Sequence, residues 1–198
     1  MTRKTSRERI IDAALAEFDQ SGYEAATVAA ICDRARVSNG SFFHAFPSKD
    51  AVAGAVFLSA LDAYHAALTG AVAGEVSARD GVAALVTAHL RWVIDHRTQA
   101  RFMFVHAPGA HMAAIRDAQA SSNEEFRARL ARWYEPQMKR GALAAVAPEL
   151  LISQIIGPAQ MVCRAWLAGR SRSKPDAHLP DLIACAVRAV VTGAAQSE

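Results

Sequence analysis

The chain has 198 residues, 52% of them apolar and 21% charged, with a formal net charge of +3. That is ample apolar material for one large or two small packed domains. No stretch of about 18 uncharged apolar residues predicts a membrane-spanning helix, and the leading MTRKTSRER lacks the apolar run of a signal peptide. Cys32, Cys163 and Cys185 are odd in number, widely spaced and without a C-x-x-C. This argues against a disulfide framework or a zinc site and predicts the cytoplasm, with all three as small buried hydrophobes.

Alanine is abundant, Gly and Pro are sparse, and no alternating run marks a strand, so the chain reads as all-α with about nine helices. It opens on a basic arm, with Arg3, Lys4, Arg7 and Arg9 against the single acid Glu8. Such an arm can track phosphates or a minor groove. Helix 1 is predicted from about Ser6 to Gln20. Thr5 and Glu8 fit a capping box, Ile11, Leu15 and Phe18 face inward, and Gly22 stops the helix.

Two short helices and a tight turn follow in TVAAICDRARVSNGSFFHAFPSK, Thr27 to Lys49. Thr27 is placed to N-cap the first, whose apolar stripe is Val28, Ile31 and Ala35. Ser38 or Asn39 caps the second, which buries Phe42 and Phe46. A pair so joined matches a helix-turn-helix, whose second helix can enter the DNA major groove.

Helix 4 is predicted from Ser48 to about Leu68, with Val52, Val56, Phe57, Leu61, Tyr64 and Leu68 inward. Gly70 to Ser77 reads as a spacer. Helix 5 covers about Ala78 to His96, and helix 6 about Thr98 to Ala107, broken by Pro108-Gly109. Helix 7 starts near His111 and reaches about Arg140, with an interruption around Ser121-Ser122-Asn123 and an inner face of Phe126, Leu130, Trp133 and Met138. Helix 8 spans about Pro148 to Ala168 with a kink at Gly157-Pro158, and helix 9 about Leu179 to Ala194. Helix 8 is apolar round much of its circumference, which predicts burial on several sides. A second copy of the chain supplies that cover if helices 8 and 9 of both form a four-helix bundle.

Within Thr27–Lys49 the chain resembles the TetR family of bacterial transcriptional regulators. Thr27, Ile31, Ala35, Val37, Ser38, Gly40, Phe42, Phe46 and Lys49 fall in register with its pattern. Cys32 stands where Ala is usual, Arg36 replaces the turn Gly, Phe43 a Tyr, and Ala45 a His or Tyr. The resemblance implies a three-helix DNA-binding domain over 1–47 and a ligand-binding and dimerisation domain over 48–198. It also implies a repressor that leaves its operator when a small, mainly apolar ligand binds; an activator, or a regulator without effector, is the alternative. The family's phosphate-contact lysine falls on Lys49.

The expected contacts with double-stranded DNA are Thr27, Arg36, Ser38, Asn39, Gly40, Ser41, Phe43, His44 and Lys49. Asn39 suits adenine or the helix cap; Thr27, Arg36 and Lys49 suit the backbone. An aromatic and Met-rich interior suits the ligand: Tyr64, Trp92, Phe102, Met103, His106, Met112, Trp133, Met161 and Trp166. No GxSxG, Walker A or HExxH motif suggests an enzyme. His89 and His96, or His106 and His111, lack the i, i+4 spacing of metal ligands, so no metal or cofactor is expected, and no membrane partner.

Overall fold

The structure is a computed structural model that describes residues 4–106 and 115–193. Arg3, the break at Pro108-Gly109, His111, Met112, the tail from 194 and the side chain of His106 lie outside the described residues.

Nine α-helices run through the described residues. They are α1 (Ser6–Ser21), α2 (Val28–Ala35), α3 (Asn39–Ala45), α4 (Lys49–Ala71), α5 (Ala78–Asp95), α6 (Arg97–Arg101), α7 (Arg116–Lys139), α8 (Pro148–Leu167) and α9 (Leu179–Val190). The caps follow from the local sequence. Thr5 Oγ1 accepts from Glu8 N while Glu8 accepts from Thr5 N, closing the capping box. Thr27, Ser38, Ser48 and Ser77 likewise accept amide hydrogens from Ala30, Ser41, Ala51 and Asp80.

Three elements differ from expectation. Helix 6 is α-helical only over Arg97–Arg101 and continues as a π-helical turn, Phe102–His106. α7 runs unbroken through Ser121-Ser122-Asn123. Asn123 does not start a new helix there; Glu124 and Glu125 pair forward along the same helix with Arg127 and Arg129 at 2.9 and 2.6 Å. α9 ends at Val190 rather than Ala194, because Val191 turns extended and forms an isolated antiparallel bridge with Leu143.

The chain divides by packing into two compact units: Met1–Asp62 with Thr98–Ser121, and Ala63–Arg97 with Ser122–Glu198. In the first, α1 packs on α2 and α3, and Ile10, Ala14, Phe18, Ile31, Phe42 and Phe46 are buried. The π-helical turn joins this unit, with the Phe102 ring stacked on Phe18 at 5.5 Å. The neighbouring Arg101 donates to the Asp19 carbonyl and pairs with its carboxylate, both at 2.7 Å. Gly54 of α4 meets Ile115 so closely that a Cβ there would lie 2.5 Å from its Cγ2. Part of α4 and the π-helical turn are thus grouped with the first three helices.

In the second unit α5, α8 and α9 pack pairwise. Gly81 of α5 lets Trp133 of α7 lie against the backbone, where a Cβ would come within 2.3 Å of the indole. Buried among these helices, Tyr64 Oη lies 2.9 Å from His89 Nδ1, with the Trp92 ring edge-on to Tyr64 at 5.1 Å. Burial pushes the Tyr64 phenol up and lowers His89 to about 4, so both are neutral near pH 7.

By length and composition α4 and α8 could each cross a bilayer. In α4, 61% of the apolar window is buried within the chain, which marks a core helix; in α8 only 33% is.

Candidate functional site

The turn between α2 and α3 sets the helix-turn-helix geometry. Arg36 occupies it with φ 54 and ψ 52, the one left-handed non-glycine among the described residues. That conformation lets Val37 N donate to Cys32 O at 3.1 Å and closes the end of α2. Arg9 holds the turn from outside, donating from Nη1 to the Ala35 and Arg36 carbonyls at 3.3 and 3.4 Å. Phe42, fully buried, anchors α3 to the other two helices.

What α3 then presents is a polar, exposed face. Asn39, Gly40, Ser41, Phe43 and His44 are all exposed, Phe43 to 54%. Ser38, not Asn39, is the N-cap, so the Asn39 amide is not spent on capping. The Ser38 and Ser41 hydroxyls lie 3.0 Å apart. With Ser6, Arg7, Gly40, His44 and Ala45 they line one shallow hollow. The Arg7 guanidinium sits 4.9 Å above the Phe46 ring at its edge.

The cations of the basic arm are not equivalent. Lys4 pairs with Asp12 at 2.6 Å, and Arg9 is spent on turn carbonyls. Arg7 makes no hydrogen bond or ion pair with any described residue, which leaves its donors for an outside acceptor. Lys49 departs most from the sequence reading. Its ammonium donates to the carbonyls of Tyr23, Ala26 and Glu24 at 2.9, 3.0 and 3.3 Å, and lies 4.5 Å from the Tyr23 ring centroid. All three of its donors fasten the α1–α2 connection, so none is left for the expected phosphate. Thr27 is exposed but its hydroxyl caps α2, and Arg36 is exposed with its side chain outward.

Within the second unit the expected ligand residues are spread over different places. Tyr64 and Trp92 are packed with His89 in the core of the second unit. Phe102 and Met103 are buried in the first unit. Met161 is 67% exposed on α8, and Trp166 is half-buried beneath the Arg97 guanidinium at 4.7 Å. Trp133 lines open grooves beside the α4–α5 connection. Met112 and the side chain of His106 lie outside the described residues.

The second unit instead holds a pocket of about 290 Å³ that sequence reasoning did not assemble. α7 supplies Asn123, Phe126, Arg127, Leu130 and Tyr134; the first turns of α8 supply Pro148, Glu149 and Ile152; His65 comes from α4. His65 lies flat on Phe126, ring centroids 4.1 Å apart, with its Nδ1 3.1 Å from Ser122 Oγ. Burial, with Glu135 and Glu149 nearby, pushes the Tyr134 phenol up. Phe126, Leu130 and Tyr134 recur every four residues, and that period was the available signal.

Residues 10–56 match the family described as bacterial regulatory proteins, tetR family. Over 175 residues the chain is 25% identical to the HTH-type transcriptional regulator BetI of Paraburkholderia phymatum, covering 87% of this chain and 85% of that one. The fold matches the fatty acid degradation regulator FadR of Bacillus halodurans, with TM-score 0.79 at 16% identity over 94% of this chain and 97% of that one. It also matches FadR of Bacillus subtilis, solved with stearoyl-CoA, with TM-score 0.77 at 15% identity over 91% and 97%. The helix-turn-helix register and the all-helical fold agree with these comparisons: over residues 10–56 the chain carries the DNA-binding region of the tetR family of bacterial regulatory proteins, on a fold shared with solved TetR-family regulators.

Proposed function

We propose that the chain is a cytoplasmic, homodimeric repressor whose α3 reads an operator and whose second unit binds a small, mainly apolar effector that releases it. The observation that carries the DNA contact is the hollow beside α3. Arg7, without an acceptor among the described residues, stands there with Ser38, Ser41 and His44 around the glycine-opened start of the helix. In this reading Arg7 and Arg36 neutralise phosphates and fix register, while Asn39, Ser41, Phe43 and His44 meet base edges or sugars. Residues 1–47 serve as the DNA-binding domain and 48–198 as the ligand-binding and dimerisation domain.

Dimerisation through α8 and α9 is supported by what α8 leaves uncovered. Leu150 and Met161 are 47% and 67% exposed on it. Two copies joined there present paired recognition helices about 34 Å apart, one helical turn of DNA. The effector site is the α4–α7–α8 pocket. At about 290 Å³ it is too small for a molecule the size of the stearoyl-CoA held by the Bacillus subtilis regulator. An effector acts only through unequal affinity for the DNA-binding and released states.

The test is a fluorescence-anisotropy titration of duplex DNA from upstream of the protein's own gene, at several salt concentrations. Each phosphate contact contributes a slope of about 0.9 in log K against log salt. Arg7→Ala should lower the slope by about one at every sequence tested. Intact affinity and slope in Arg7→Ala would remove Arg7 from the interface, and no binding by the parent protein would remove the reading itself. Deleting the gene should raise transcription from that promoter for a repressor and lower it for an activator.

A further inference from the structure

The pocket of the second unit says more about its ligand than size. This inference rests on the reading of that pocket as the effector site. Its floor is apolar, from Leu130 and Ile152, and its aromatic walls are Phe126 and Tyr134. Two formal charges reach its rim. Arg127 is already held by Glu124 at 2.9 Å, on its own helix. Glu149 has no ion pair or side-chain hydrogen bond with any described residue.

Glu149 also has a place on its helix that suits a negative charge. It is the second residue of α8, where the positive end of the helix dipole favours an anion. Its charge registers on the pocket lining, since Glu149, after burial and Glu135, is one of the causes that raise the Tyr134 phenol. An aromatic surface is negative on its face, so Phe126 and Tyr134 favour positive charge as the carboxylate does. An anion would be repelled by the Glu149 carboxylate and would find its one cation, Arg127, already neutralised by Glu124. A neutral ligand would gain the apolar walls alone.

We infer that the pocket takes a small organic cation, an apolar body bearing one ammonium-type charge that settles between the Glu149 carboxylate and the rings of Phe126 and Tyr134. Size bounds the body. A cavity of about 150 Å³ accepts benzene, so about 290 Å³ admits a body of roughly two rings or the equivalent in alkyl groups.

Three probes of similar size separate charge from shape: benzyltrimethylammonium, 3-phenylpropanamide and 3-phenylpropionate, titrated calorimetrically into the full-length protein at pH 7. The cation should bind about tenfold more tightly than the amide, and the carboxylate most weakly. Glu149→Gln, an exposed and nearly isosteric change, should erase the preference for the cation while leaving the amide's affinity unchanged. Phe126→Leu should weaken the cation more than the amide. The inference is overturned if the cation does not bind, if amide and cation bind equally, or if Glu149→Gln keeps the preference. Operator release is read separately. Cation binding that depends on Glu149 but leaves DNA affinity unchanged supports the ligand class and sinks the effector role. Release by a compound whose binding shows no charge preference does the reverse.

Discussion

Lys49 gives the sharpest division between a structural and a DNA-contacting role. Its ammonium makes three hydrogen bonds to carbonyls, at 2.9, 3.0 and 3.3 Å. A hydrogen bond from a charged donor contributes about 1.5–3 kcal/mol net, so simple addition over the three gives about 4.5–9 kcal/mol, an upper bound on the loss. Much of this is recovered by water when the ammonium is removed, because Tyr23 is half-exposed and Glu24 exposed. Ala26 is buried, and its carbonyl loses a partner with least access to water. Lys49→Met keeps the apolar stem against Tyr23 and deletes only the donors. It should cost about 2 kcal/mol, close to one unsatisfied buried acceptor plus part of two exposed ones. For a chain of this size that is a fall in Tm of about 4–8 °C. Urea denaturation measures the stability, and the salt slope of DNA binding measures phosphate contacts. The expected result is lower stability with an unchanged slope. A variant within about 0.5 kcal/mol of the parent whose slope falls by about one would refute the clamp and restore the phosphate contact.

Arg36 and His89 provide two further tests. Arg36→Gly removes the cost of a side chain in the left-handed region, about 1–2 kcal/mol, against the larger unfolded-state entropy of glycine, about 0.5–1. A net gain of about 0.5–1 kcal/mol in denaturation is expected, with the salt slope reduced by about one if the Arg36 guanidinium meets a phosphate. His89 titrates at about 4 when folded, against about 6.5 when unfolded, so the unfolded chain binds the extra proton between those values. Stability should fall as pH drops through that window, by about 2 kcal/mol between pH 7 and pH 5. His89→Leu should flatten that part of the profile, and a profile unaltered by the substitution would exclude His89 as its source.

The helix-turn-helix was legible because its determinants are local. Thr5, Thr27, Ser38 and Ser48 each satisfy an amide three residues ahead, and Ile31, Phe42 and Phe46 mark the buried side by period alone. The sequence by itself therefore determined the all-helical class, most helix starts among the described residues, the core of the three-helix module and the resemblance of that module to the tetR family. Which cation does what was decided only by tertiary structure. Lys49 and Arg9 read as free basic side chains until the fold brings carbonyls from 23 or more residues away within reach. The ligand pocket was equally non-local. Tyr64 and Trp92 looked suited to a ligand by type, but packing with His89 fills their space, whereas His65, Phe126 and Glu149 converge from three helices. Composition and periodicity tell which side of a helix turns inward; whether that side meets another side chain or a void depends on helix positions that no single segment encodes.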